Sequence, residues 1–278
     1  MKAMILPEIA PAETSPLHMV ELPDPEPGPG EIRVAVRACG VCRTDLHVVE
    51  GDLPEYTLPI VPGHQVVGIV DALGPGVSTY APGDRVGIAW LRGTCGGCGF
   101  CRSGSENLCP DSRYTGYHEH GGYAELAVVP EAFAYPIPAA FSDEQAAPLL
   151  CAGIIGYRAL ERSEVPPGGR LALYGFGSSA HVVIQVALHR GCEVYVVTRG
   201  ESHRALARRM GAHWVGGPGE APPVEVDSAI IFAPAGNIVP DALAALRKGG
   251  TVAMAGIYMT PVPELEYETH LFHEKNLR

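Results

Sequence analysis

Four cysteines, Cys95, Cys98, Cys101 and Cys109, fall within one short stretch broken by Gly96, Gly97 and Gly99. Thiolates at two-residue gaps can close a tetrahedral shell around zinc with no position left open, which is the donor set of a structural site. An iron–sulfur cluster takes four thiolates at similar spacings. A second group is smaller. Cys42 lies within Gly40, Val41, Cys42, Arg43, Thr44, Asp45, Leu46, His47, and His64 closes Pro62, Gly63, His64. A thiolate and an imidazole are donors that zinc prefers, and a shell with only three protein ligands keeps its fourth position for chemistry.

A third stretch points to a nucleotide. Gly175, Phe176, Gly177, Ser178, Ser179, Ala180 follows an apolar strand candidate, Arg170 to Tyr174, and opens a helical run from His181 to Arg190. Glycine allows the tight turn and the close approach of a pyrophosphate to a helix N-terminus, and alanine is an accepted variant at the third glycine position. Gly175, Gly177 and Ala180 are therefore candidate cofactor-binding residues. The next strand, Glu193 to Val197, ends in Thr198 and Arg199, with no acid to take the ribose hydroxyls of NAD. Arg199, with Arg204 as a second candidate, can pair with a 2′-phosphate and Thr198 can hydrogen-bond to it, so the cofactor is NAD(P) with a lean to NADP.

These groups need two kinds of scaffold. Residues 1–150 carry short β-branched runs, Ile32 to Val36, Val66 to Val70 and Arg85 to Ala89, between Pro and Gly turns, which predicts a mostly β domain with irregular loops. Residues 151–278 alternate strands with helices: Ser202 to Met210 and Asn237 to Leu246 as helices, Asp227 to Ala233 and Thr251 to Ala255 as strands. That pattern predicts a doubly wound parallel sheet of the Rossmann type. A formal charge of −11 disfavours nucleic acid and anionic membrane surfaces as partners. No run has the length of a membrane span and the N-terminus has no secretory core, so a cytoplasmic location is expected and the eight cysteines read as metal ligands and buried thiols rather than disulfides.

At these motifs the chain resembles the zinc-dependent alcohol dehydrogenases of the medium-chain dehydrogenase/reductase superfamily, and the resemblance covers nearly its whole length. It implies a GroES-like catalytic domain followed by the Rossmann domain. It also implies two zinc ions per chain: a catalytic one held by Cys42, His64 and Cys151, and a structural one held by Cys95, Cys98, Cys101 and Cys109, which ranks iron–sulfur below zinc. Hydride would pass between a small alcohol or its aldehyde and NAD(P). By the same resemblance, Thr44 meets the substrate oxygen, His47 relays the proton, and Arg43 touches cofactor phosphate. Thr44 and His47 are expected on the loop of the first ligand. Asp45 would orient His64 from behind the metal. Trp90, beside Leu91, would narrow the substrate pocket and favour unbranched primary alcohols.

Two departures stand out. Gln65 occupies the position of the family's usual Glu behind the zinc, keeping hydrogen-bonding capacity without the charge. The chain stops at Arg278, where the family continues with further strands, a return segment and its dimer contact, so the C-terminal part of the Rossmann domain is expected to be missing and a homo-oligomer is expected of the full-length protein. The alternatives are a polyol or secondary-alcohol dehydrogenase of the same superfamily and a zinc- and nucleotide-binding protein without turnover. A zinc-ribbon nucleic-acid binder lacks the basic cluster it would need. Cys39 and Cys192 are expected to be buried thiols, and His118 and His120 solvated loop residues.

Overall fold

The computed structural model describes residues 1–54 and 57–278. It divides into two compact units, Met1–Cys151 and Ala152–Arg278, one residue beyond the expected division, so that Cys151 stays with the first unit.

Among the described residues the first unit holds nine strands: β1 (Lys2–Ile5), β2 (His18–Glu21), β3 (Glu31–Cys39), β4 (Val66–Leu73), β5 (Arg85–Ile88), β6 (Leu91–Gly93), β7 (Arg113–Tyr114), β8 (Leu126–Pro130) and β9 (Ala134–Pro136). Five of them form an antiparallel sheet in the order β8-β3-β4-β5-β9. Ile32 and Val34 on β3 point the same way, as period-two alternation requires, and pack with Val66, Val70, Val86, Ile88, Ala127 and Val129 into one buried cluster. Short helices join the strands: α1 (Arg43–Glu50), α2 (Gly99–Arg102) and α3 (Asp143–Ala146). The segment expected to be a loop carrying Thr44 and His47 is therefore a helix. Its start is set by a capping box: the Cys42 sulfur accepts from the Thr44 N–H, and the Asp45 carboxylate accepts from the Cys42 N–H.

The second unit is a six-stranded parallel sheet of β10 (Arg170–Tyr174), β11 (Glu193–Val197), β12 (Trp214–Gly216), β13 (Val226–Ile231), β14 (Leu246–Met254) and β15 (Asn276–Leu277). The order is β12-β11-β10-β13-β14-β15, which places the first two strands of the unit side by side and reverses direction across β10 and β13, the switch point of a doubly wound fold. Leu171 to Tyr174 are all buried because both faces of β10 are covered. Leu171 and Leu173 pack in the cluster that holds α4 (Ala152–Ser163) and α5 (Ser178–His189). Ala172 and Tyr174 pack on the face covered by α7 (Ile238–Ala244), while α6 (Glu201–Arg209) joins β11 to β12. Among the described residues, no helix is long and apolar enough to cross a membrane.

Candidate active site

The first constellation is built around the start of α1. Cys42 is the N-cap, so its side chain sits where the helix begins, and Asp45 turns back toward it. One Asp45 oxygen closes the capping box at 2.8 Å from the Cys42 nitrogen, and the other lies 3.2 Å from His64 Nδ1. A single buried carboxylate thus ties a helix start to an imidazole. That contact leaves His64 Nε2 facing Cys42 Sγ at 3.4 Å. His64 is itself delivered by the turn at Gly63, whose φ of +96° suits glycine and where a Cβ would lie 2.5 Å from the Tyr123 ring. Backbone bonds from Gly121, Gly122 and Tyr123 to residues 61, 63 and 62 hold that turn in place.

Cys151 arrives from the other end of the unit. Ala146, Ala147 and Leu150 pack with Val67 and Ala89, which anchors the 3-10 turn Ala147–Leu150 immediately before it. Its Sγ stands 3.9 Å from Cys42 Sγ. A tetrahedral zinc with ordinary bond lengths would set S···S and S···N edges of about 3.8 and about 3.6 Å. The observed 3.9 and 3.4 Å fit that ion. The hydrogen bond with Cys151 brings the Cys42 thiol well down from its ordinary value, against the effect of burial, with help from His64 and the Thr44 N–H. The Cys151 thiol is pushed up by the same partner. Burial alone would lower His64, yet Asp45 and the Cys42 thiolate raise it to about 9. The donor set is one a dication would displace protons from.

The second constellation closes on itself. Cys98 and Cys101 Sγ are 3.5 Å apart, Cys95 and Cys109 3.6 Å, and Cys95 and Cys101 4.0 Å, again the edges of a tetrahedron. Backbone N–H groups point at the sulfurs, from Cys98 to Cys95, from Cys101 to Cys98 and from Cys95 to Cys109. The N–H groups of Gly97 and Cys98 bring the Cys95 thiol down to about 7. All four donors can hold one ion, with no protein position left over.

Around the three-ligand group, Trp90 sets its ring edge-on to His64 at 5.0 Å and stacks on Tyr114 and Tyr117 at 4.9 and 5.7 Å. Thr44 is half-buried and Arg43 exposed. His47 is buried, and its Nδ1 lies 2.7 Å from Asp52 Oδ2. Asp52 was not singled out by the sequence, although a carboxylate five residues beyond a helical His, just past the Gly51 C-cap, was a readable signal. Gln65 is buried, and its Nε2 has no partner among the described residues. His120 is exposed, as expected of a solvated loop residue, while His118 is half-buried against Tyr114 and Tyr117; their Nδ1 atoms accept backbone N–H groups, from Val61 and Tyr114 respectively.

In the second unit, Gly175 ends β10 with φ +92°, and a Cβ there would come within 3.0 Å of the Ala233 nitrogen. Gly177 is the N-cap of α5, open to approach, and Ala180 is fully buried beneath it. Thr198 is buried at the end of β11 and Arg199 exposed beyond it. Arg204 turns inward to the backbone carbonyls of Thr198 and Arg199.

Residues 28–139 match the alcohol dehydrogenase GroES-like domain and residues 180–278 the zinc-binding dehydrogenase domain. A probable alcohol dehydrogenase of Mycobacterium tuberculosis (strain CDC 1551 / Oshkosh) is 56% identical over 273 residues, covering 96% of this chain and 79% of the relative. Among solved structures, an NAD-dependent alcohol dehydrogenase superposes with a TM-score of 0.88 at 28% identity, over 100% of this chain and 83% of its own. A Sinorhizobium meliloti 1021 protein assigned as a zinc-binding dehydrogenase, bound to NADP, gives 0.87 at 31% identity, over 99% and 82%.

Proposed function

We propose, for a chain that belongs to the zinc-dependent alcohol dehydrogenases of the medium-chain dehydrogenase/reductase superfamily, that it interconverts unbranched primary alcohols and aldehydes with NADP as the preferred cofactor. The coarser statement, a zinc-dependent NAD(P)-linked alcohol dehydrogenase acting on a small alcohol or aldehyde, needs no proposal at 56% identity over 96% of the chain. What supports the finer reading is Trp90, set against His64 and stacked on Tyr114 and Tyr117 beside the Cys42, His64 and Cys151 donor set, and the end of β11, where Thr198 and an exposed Arg199 stand in place of an acid.

In this reading Cys42, His64 and Cys151 hold a catalytic zinc and the four clustered cysteines a structural one, two per chain. The catalytic ion supplies Lewis acidity, polarising a carbonyl and lowering the pKa of a hydroxyl. Thr44 and His47, three residues apart on α1, share one face of the helix. Thr44 takes the substrate hydroxyl's hydrogen bond and His47 passes the proton on. Asp52 Oδ2, 2.7 Å from Nδ1, orients the His47 ring, and being itself 39% exposed Asp52 opens a route to water. Trp90, clamped between His64 and two tyrosines, limits the width available to substrate. Arg43 contacts cofactor phosphate, while Gly175, Gly177 and Ala180 form the pyrophosphate turn, with Thr198 and Arg199 at the ribose.

The proposal includes a cytoplasmic location, which eight free thiols suit, and a homo-oligomer, which the exposed Ile257, Tyr267 and Phe272 suit. The test is initial rates over a panel of primary, secondary and polyhydric alcohols and aldehydes with NAD and NADP. Highest kcat/KM for a primary alcohol or aldehyde with NADP is expected; preference for secondary polyols, or for NAD, would overturn the finer reading.

A further inference from the structure

At the end of β11 a doubly wound domain meets the adenosine ribose, and the chain there turns through Thr198, Arg199 and Gly200 into α6. Arg204, one helical turn further, is half-buried and fully engaged. Its Nη1 donates to the carbonyls of Thr198 at 3.3 Å and Arg199 at 3.0 Å. Its Nε and Nη2 donate to one oxygen of Glu201 at 3.0 and 2.7 Å. The other Glu201 oxygen receives Arg208 Nη1 at 3.3 Å.

Two consequences follow from this bonding. The carbonyls that precede the helix have no intrahelical donor, so the Arg204 fork fixes the conformation of the turn from which the Arg199 side chain departs. Glu201 lies two residues beyond Arg199, and an acid in this neighbourhood suits the ribose hydroxyls of NAD and repels a 2′-phosphate. With the guanidinium groups of Arg204 and Arg208 on that carboxylate, its negative charge is more than offset, and together with Arg199 the turn presents a net positive charge.

We propose that Arg204 is a positioning residue for nucleotide choice: it selects NADP without touching it, by bracing the Thr198–Arg199 turn and screening Glu201. This rests on the NADP reading above. It separates two arginines that look equivalent in the sequence. Arg199 meets the phosphate and Arg204 holds Arg199 in place.

The experiment is isothermal titration of NADP and of NAD into the full chain, as wild type and as Arg204→Met, Arg204→Lys, Glu201→Gln/Arg204→Met and Arg199→Met, with melting temperatures measured alongside. Arg204→Met should weaken NADP by about tenfold while leaving NAD unchanged or tighter. The double variant, having lost the exposed carboxylate, should recover part of the discrimination. Arg204→Lys, which keeps the charge without the planar fork, should fall between wild type and Arg204→Met. If Arg204→Met weakens both nucleotides by the same factor, Arg204 is only structural and the inference fails. It also fails if the ratio of the two constants is unchanged in a variant that melts as wild type does. A wild type that binds NAD more tightly overturns the NADP reading, and the inference is then still decided by whether Arg204→Met shifts the ratio further toward NAD.

Discussion

The two cysteine-bearing groups of the first unit present nearly the same donor edges, 3.4–3.9 Å in one and 3.5–4.0 Å in the other, yet they are assembled in opposite ways. Cys95, Cys98, Cys101 and Cys109 come from one short segment whose own backbone N–H groups point at the sulfurs. Cys42, His64 and Cys151 come from a helix cap, a glycine turn and the end of a 3-10 turn, and they meet only because the five-stranded sheet and the Leu150 cluster bring them together. The first group can be organised by its metal. The second is organised by the fold, and an ion held there by three protein donors would keep a fourth position for substrate. Local closure gives stability, and long-range assembly gives an open site.

The largest expected effect separates the two groups. Cys151→Ser should cut kcat/KM by about a thousandfold or more, the loss of several kcal/mol of Lewis-acid stabilisation, while the chain keeps the melting behaviour conferred by its other ion. Elemental analysis and melting curves on the same sample check it. Cys101→Ser should do the reverse. Structural zinc in small peptides is worth on the order of 10 kcal/mol, so the segment between β6 and β7 should open and become the first site of proteolytic cleavage, with activity falling only as fast as the fold is lost. If Cys101→Ser abolished turnover with cleavage unchanged, the contrast drawn here would collapse.

A smaller effect sharpens the role of Asp45. Asp45→Asn retains the shape but weakens both the capping bond and the hold on His64, and should reduce affinity for the catalytic ion by about 10–100-fold, read by competition with a chromogenic chelator. The four-cysteine ion should be released at the wild-type rate. Smallest is Asp52→Asn, which leaves every metal donor in place: kcat should fall by about tenfold with metal content and nucleotide affinity unchanged. An unchanged kcat would remove His47 and Asp52 from the proton path.

The same contrast explains what could be read from the sequence. The four-cysteine group is legible because its spacing is local, and Arg170–Tyr174 and Glu193–Val197 were bounded correctly because strands buried on both faces are continuous apolar runs. The nucleotide turn was legible for a similar reason, since strand, glycines and helix are adjacent in the chain. The helix at Arg43–Glu50 was missed because its start is capped by a cysteine rather than by Ser, Thr, Asp or Asn, and it is too short to show a periodic face. Arg204 pointed outward on paper because nothing in the sequence says that two carbonyls of the preceding turn lie within its reach. Asp52 was passed over because its partner, His47, was itself expected on a loop. Each miss concerns a polar contact between residues close in the chain, set by local backbone conformation rather than by hydrophobic pattern.

The most direct test of the account is zinc per chain, measured by elemental analysis on wild type and Cys151→Ser purified without chelator. Two ions in the wild type and one in the variant are predicted, the remaining ion held by Cys95, Cys98, Cys101 and Cys109. A single ion in both proteins would mean that Cys42, His64 and Cys151 do not hold a metal, and would contradict the open catalytic site on which the mechanism depends.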